Sequence, residues 1–245
     1  MAWEWQVFCK DTITGEATAG CFGKGGEITY LDWMLSAWGW TLSVALLALV
    51  VALLVGSVVG ILRTTPNKGL VFIGNAWTEL FRNIPLLVQL FLWYHVLPSI
   101  FLVLRGVPSF VLVIFALGFF TSARISEQVK AGIQSLPKGQ RYAGLAMGLT
   151  LPQTYRYVLL PMAFRIVIPP LTSESMNIVK NSSVAFAVSI SELTMFAMQA
   201  GEETSRPVEM YLAVTLLYFI SAFAINRVML VVENRVRVPG MIGGK

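Results

Sequence analysis

KGQRYAGLAMGLTLPQTYRYVLLP, residues 138–161, is the stretch on which the reading of this chain turns. It is polar and helix-forming, and it interrupts a sequence that is otherwise largely soluble in lipid. Ala143, Leu145, Ala146 and Leu149 space an apolar stripe at helical intervals, and Gly148 supplies a stop. Thr150 and Gln153 fit a capping box, and Pro152 falls in the first turn of a second short helix. That helix re-enters apolar sequence at 158–161. The pattern predicts two short helices hinged at a glycine, a rigid knob suited to docking against a soluble partner.

Outward from this knob, composition describes a membrane protein. The chain is 56% hydrophobic and only 13% charged, with a mean hydropathy of +0.70. Residues 33–62 carry no formal charge, and as a helix they would reach about 45 Å against a hydrocarbon core of roughly 30 Å. Residues 83–104, 106–123, 162–179 and 210–232 are the other expected spans, about five in all. Residues 184–200 are a sixth apolar piece, expected as a partly inserted or interfacial helix because Glu192 sits in its middle.

Orientation follows from the basic residues. Arg63, Lys68 and Arg82 lie in the expected first inter-helix loop. Arg124, Lys130, Lys138, Arg141, Arg156 and Arg165 fall in or beside the second, and Arg227, Arg235, Arg237 and Lys245 gather at the C-terminus. Few acids accompany them. The chain is therefore expected to start outside and end in the cytoplasm, with its net charge of +5 a topology signal and no mark of nucleic-acid binding. Trp3 and Trp5 suggest an interfacial anchor. Cys9 and Cys21 fall on the outer side, where an oxidising compartment permits pairing; paired and free thiols both remain open.

Material for catalysis is scarce. Gly15 and Gly20 have the glycine spacing of a phosphate-binding loop, but Cys21 and Phe22 stand where it needs Lys and Ser or Thr. A single histidine, His95, leaves little for acid–base or metal chemistry, so no catalytic or metal site is expected. His95, beside Trp93 and Tyr94, reads as an interfacial residue, and Gly56 and Gly60 as a close helix contact.

The knob and three further runs carry a resemblance. ABC-importer permeases show, in their cytoplasmic coupling loop, Glu-Ala-Ala, three residues, Gly, nine residues, Ile, one residue, Leu-Pro. Ala143, Gly148, Leu160 and Pro161 match in register and Val158 replaces Ile, whereas Tyr142 stands for Glu and Gly144 for the second Ala. Residues 79–91 (ELFRNIPLLVQLF), 127–140 (EQVKAGIQSLPKGQ) and 169–183 (PPLTSESMNIVKNSS) are similar to the second, third and fourth helices of polar amino acid permeases. Asn83-Ile84 and Ala123-Arg124 resemble those of bacterial glutamate/aspartate importers, as does the ending at 238–245.

This resemblance implies an all-α permease fold with a cytoplasmic coupling helix, in the bacterial inner membrane. Segment 1–32 would be external or interfacial, 33–237 the transmembrane domain and 238–245 a cytoplasmic tail. It implies a second permease subunit, two ATPase subunits that bind ATP and Mg²⁺, and a periplasmic amino-acid-binding protein, with no cofactor in this chain. Coupling to the ATPase would fall to Arg141, Tyr142, Ala143, Gly144, Gly148, Thr150, Tyr155 and Arg156.

For the substrate path, Arg124 is singled out. An arginine fork in a span can clamp a carboxylate with two parallel hydrogen bonds. The alternatives are an ion pair with Glu127 one turn away, or snorkelling to the interface. Gln89, the first polar group inside the second span, is a further candidate. On the fourth helix Ser173, Glu174, Asn177 and Lys180 are spaced three or four apart, and Pro169-Pro170 should bend that helix. Asn181, Ser182 and Ser183 should break it as a gate hinge. Rival readings are a permease for other polar or basic amino acids, an ATP-independent channel or carrier, and a scaffold without cargo.

Overall fold

The computed structural model describes residues 3–18, 20–25 and 27–236. The expected tail at 238–245 and the cation Arg237 lie outside the described residues. Helices account for nearly all regular structure: α1 (Tyr30–Leu62), α2 (Lys68–Asn83), α3 (Leu86–Ile100), α4 (Ser109–Gln134), α5 (Lys138–Ala146), α6 (Leu151–Val188), α7 (Leu193–Thr204) and α8 (Pro207–Val236). The chain is an all-α membrane protein. Helices α1, α4 and α8 are each long and apolar enough to cross a membrane. The pairs α2–α3 and α6–α7 bend by 104° and 53°, and with each pair taken as one broken span the crossings number five. An odd number places the two ends of the chain on opposite faces.

α1 begins at a capping box in which Thr29 and Asp32 exchange side-chain and backbone bonds. It packs against α4 more extensively than any other helix pair, because small residues let the backbones approach. A Cβ added at Gly56 would sit 2.7 Å from Ile125 Cβ, and one at Gly60 the same 2.7 Å from Val129 Cβ. Ala45, Ala48 and Ala52 extend the contact and are fully buried. Leu46, Val50, Leu54 and Val58 on the other face of α1, with Leu216, Phe219 and Phe223 of α8, are exposed to what would be lipid.

Three expectations need correction. The stretch 63–82, read as a loop, is mostly the sixteen-residue helix α2, which runs on to Asn83. Asn67 caps it by accepting from the amides of Gly69 and Leu70, and Gly74 and Thr78 form its buried face. Its charges lower the average hydropathy and hid an amphipathic period. Next, no second short helix follows Gly148. α6 runs on from Leu151 through one widened π-helical turn at Tyr155–Leu159 and continues through Pro169 and Pro170.

The third correction concerns 184–200, which is not one helix. α6 leaves regular α geometry after Asn181, tightens into a 3₁₀ segment at Ser182–Val188, and ends at Ser189, whose φ is +61°. Glu192 is the N-cap of α7 and is not mid-helix. Its fully buried carboxylate accepts from the amides of Thr194 (2.9 Å) and Met195 (3.0 Å) and from the Tyr218 hydroxyl (2.7 Å). Burial of that carboxylate is tolerable because its bonds are filled.

The outer end is closed by the segment before α1. Cys9 and Cys21 are joined in a disulfide, and Val7 and Phe8 pack into a second core with Met34, Phe196, Ala200 and Met210. Glu4 bridges Lys10 (3.0 Å) and Arg206 (2.7 Å), tying this unit to the α7–α8 corner.

Candidate functional site

The polar side chains of α4 and α6 meet across the helix crossing. Arg124 and Gln128 lie one turn apart on α4, and both turn toward Glu174 of α6. Gln128 Nε2 donates to Glu174 Oε1 at 3.2 Å, and Arg124 Nη1 stands 3.8 Å from Glu174 Oε2. The Arg124 side chain is 46% exposed against 9% for that of Glu174. A half-buried guanidinium thus leans on a buried carboxylate whose Oε2 accepts no hydrogen bond. On the same helix Ser173 and Lys180 are exposed and Asn177 is half-buried. This face presents hydroxyl, amide, ammonium and guanidinium groups along one side of the bundle.

Other candidates are placed elsewhere. Glu127 does not pair with Arg124. It accepts from Arg63 at 2.8 Å and lies 3.4 Å from an Arg82 nitrogen, on the α1–α2 side of α4. Three residues along a helix leave two side chains only about 60° apart around the axis, yet α2 and α6 flank α4 on different sides, and Glu127 falls to the former. Gln89 is buried at the sharp corner between α2 and α3, where its Nε2 donates to the carbonyls of Phe81 (2.7 Å) and Ile84 (2.9 Å). Its amide tethers backbone that Pro85, lacking an N–H, leaves unbonded. Ser182 is buried and donates to Val179 O at 2.7 Å. Around Asn181 and Ser182 the cavity is only about 10 Å³, too small for an amino acid.

The knob is built as its pattern predicts up to Gly148. α5 ends there at φ +83°, a left-handed conformation natural to glycine. Thr150 N donates to Gln153 Oε1 at 2.8 Å to open α6. Gly144 is buried against Thr154, whose Cγ2 would lie 2.9 Å from an added Cβ, and this close approach folds α5 back onto α6. Tyr142, Ala143 and Arg156 are exposed. Tyr155 is buried, and its hydroxyl donates to Thr64 O at 2.7 Å, linking the knob to the end of α1.

Two members of these polar networks were missed in the sequence. Gln128 had a signal, since it lies four residues after Arg124 on one helix face. Arg63 had none. It is buried, and bonds Asn75 (2.8 Å), Ser126 (3.2 Å) and Glu127 (2.8 Å). On the outer side a cavity of about 630 Å³ is lined by Thr12, Asp32, Trp33, Ser36 and Glu203, among others. Two carboxylates there oppose an anionic ligand.

Comparison with known proteins places this geometry. Residues 52–238 match the family model described as binding-protein-dependent transport system inner membrane component. The chain is 42% identical, over 99% of its length and 98% of the relative's, to the glutamate/aspartate import permease protein GltJ of Escherichia coli (strain K12). It is 38% identical to the probable glutamine ABC transporter permease protein GlnM of Bacillus subtilis (strain 168), covering 74% of this chain and 82% of that one. Among solved structures, a chain of an amino acid ABC transporter crystallised with histidines superposes with a TM-score of 0.74 at 28% identity, over 84% of this chain and 95% of that one.

Proposed function

The chain belongs to the family of binding-protein-dependent transport system inner membrane components, and from that premise we propose that it is the permease subunit of an ATP-driven importer for the acidic amino acids glutamate and aspartate. Relatives named as amino-acid permeases support the broader part of this reading. The observation that carries the acidic substrate is Arg124, half-exposed on the polar face of α4 and held, among the described residues, only by a 3.8 Å ion pair to Glu174.

A partly solvated pair of that kind is worth about 1 kcal/mol or less. A substrate carboxylate able to bond the guanidinium fork bidentately can therefore compete for it. Ser173 and Asn177, one helix over, would meet the substrate's ammonium and second carboxylate, and Lys180 adds positive potential farther out.

The partners follow from the same reading. A second permease subunit, a different chain of the kind named GltK beside GltJ, would face the α4–α6 surface and complete the path. Two ATPase subunits would hold ATP and Mg²⁺ and grip the knob through Tyr142, Ala143 and Arg156, and a periplasmic binding protein would deliver the cargo. Closure of the ATPases would shift α5, and through Gly144–Thr154 and Tyr155–Thr64 move α6 and α1 together. Access alternates provided the two states bind the ligand differently. This chain performs no bond chemistry.

Reconstituted vesicles test the proposal. Arg124→Tyr should lower labelled-glutamate uptake at least about tenfold, the loss of one charge-assisted bond pair, while the ATPase still co-purifies. Undiminished uptake sinks the acidic-site assignment. Competition by arginine or glutamine as strong as by aspartate would move the reading to another polar amino acid, and uptake without ATP would replace the importer by a carrier.

A further inference from the structure

Behind the knob, on its membrane side, lies a half-open cleft of about 190 Å³. Its walls come from four elements: Thr64 after α1, Gln134 and Leu136 at the end of α4, Lys138 and Arg141 on α5, and Tyr155 on α6. No acidic residue lines it. Neither Lys138 nor Arg141 has a salt-bridge partner among the described residues. Arg141 Nε is shielded from solvent and bonds nothing among the described residues. A shielded guanidinium nitrogen without an acceptor is costly, and such groups are ordinarily satisfied by a carboxylate, a phosphate or water.

Two more features bias the cleft toward an anion. The N-cap residue of α5 is Pro137, which offers no side-chain cap, so the first-turn amides of a nine-residue helix add their positive end to the two cations. The remainder of the lining is apolar, with Ile133, Leu136 and Leu159 among it. A free inorganic anion gains nothing from such a wall, whereas the glycerol and first methylenes of a phospholipid do. The site also sits on the side the basic residues mark as cytoplasmic, at the level where the apolar run of α4 ends.

We infer that this cleft binds the phosphodiester head of an anionic inner-leaflet phospholipid, with Lys138 and Arg141 on the phosphate and the apolar wall against the glycerol. The lipid fills the space between α5 and the ends of α1 and α4, and so props the knob that the ATPase would grip. The site is separate from the Arg124 face and does not depend on which amino acid is carried.

The test uses the purified, delipidated transporter complex, titrated with phosphatidylglycerol, phosphatidylethanolamine or inorganic phosphate and read by native mass spectrometry. Wild type should retain one phosphatidylglycerol per copy of this chain in preference to phosphatidylethanolamine. Lys138→Gln/Arg141→Gln should weaken that retention about thirtyfold, the share of two surface cations. Lys68→Gln/Arg235→Gln, two exposed cations outside the cleft, should leave it unchanged. Lys138 is exposed, so Lys138→Gln alone threatens no packing and should give a partial loss. Retention that is equal in the cleft and control variants, or equal for the two lipids, overturns the site. Displacement of the lipid by low-millimolar phosphate overturns the lipid assignment in favour of a free anion.

Discussion

Replacing Arg63 by methionine should cost this protein about 3 kcal/mol, at the low end of the range for breaking a buried ion pair from one side. The side chain is 4% exposed, and its guanidinium ties α1 to α2 through Asn75 and to α4 through Ser126 and Glu127. Methionine keeps the stem, which matters because α2 approaches it closely: a Cβ on Gly74 would lie 2.5 Å from Arg63 Cγ. What is lost is charge and hydrogen bonding. Ser126 keeps Thr78 (2.8 Å) and Ala123 O (2.8 Å) as partners, so it contributes little. The Glu127 side chain is 36% exposed and can rehydrate, which excludes the upper end of the range. Asn75 loses one bond to a charged donor, roughly 1.5 kcal/mol.

For a chain of this size 1 kcal/mol shifts the unfolding midpoint by about 2–4 °C, so Arg63→Met should melt roughly 6–12 °C below wild type in a tryptophan-fluorescence scan of the detergent-solubilised protein. Glu127→Gln should fall less, because Arg63 keeps Asn75 and Ser126. The double mutant should fall short of the sum of the singles by about 1 kcal/mol or more, as expected of residues in contact. A midpoint for Arg63→Met within about 2 °C of wild type, or strict additivity, would refute the argument that this buried cation holds α2 in place.

The α1–α4 crossing offers a sharper contrast: Gly56→Leu should destabilise by at least about 1–3 kcal/mol through overpacking against Ile125 and Ser122, whereas Gly39→Ala, with nothing within 4 Å of the new Cβ, should be neutral or slightly stabilising; melting midpoints decide it. Gly148→Val forces a branched residue to φ +83° at about 1–3 kcal/mol, and should lower transport-coupled ATP hydrolysis of the reconstituted complex in proportion to the strain in the knob. The outer unit should be acid-sensitive. Lys10, and then Arg206, hold the Glu4 carboxyl below its ordinary value, and the Thr14 amide does the same, most strongly, for Asp11. Depressed carboxylates contribute stability that is present above their unfolded pKa and lost as pH falls through the folded one. Protease cleavage before α1 should therefore rise below about pH 4 and stay flat from about pH 5 to 7.

Much of this molecule was legible residue by residue. The apolar runs at 33–62, 106–123 and 210–232 marked three unbroken spans because hydropathy sums along consecutive residues. Gly148 and the Thr150–Gln153 box marked the knob because capping and backbone handedness act within four residues. Gly56 and Gly60 told of a close contact. The partner of Arg124 was not legible: Glu127 stood three residues away, yet Glu174, fifty residues on, received the guanidinium. Nor was the burial of Arg63, the turn at Gln89, the uninterrupted run of α6, or the existence of α2 beneath its charges. Each of these depends on which faces of separate helices abut, a property of the crossing of α1, α4 and α6 in space. Torsional preference and hydropathy are carried by neighbours in the chain; the choice of ionic partner is made only once distant segments have packed.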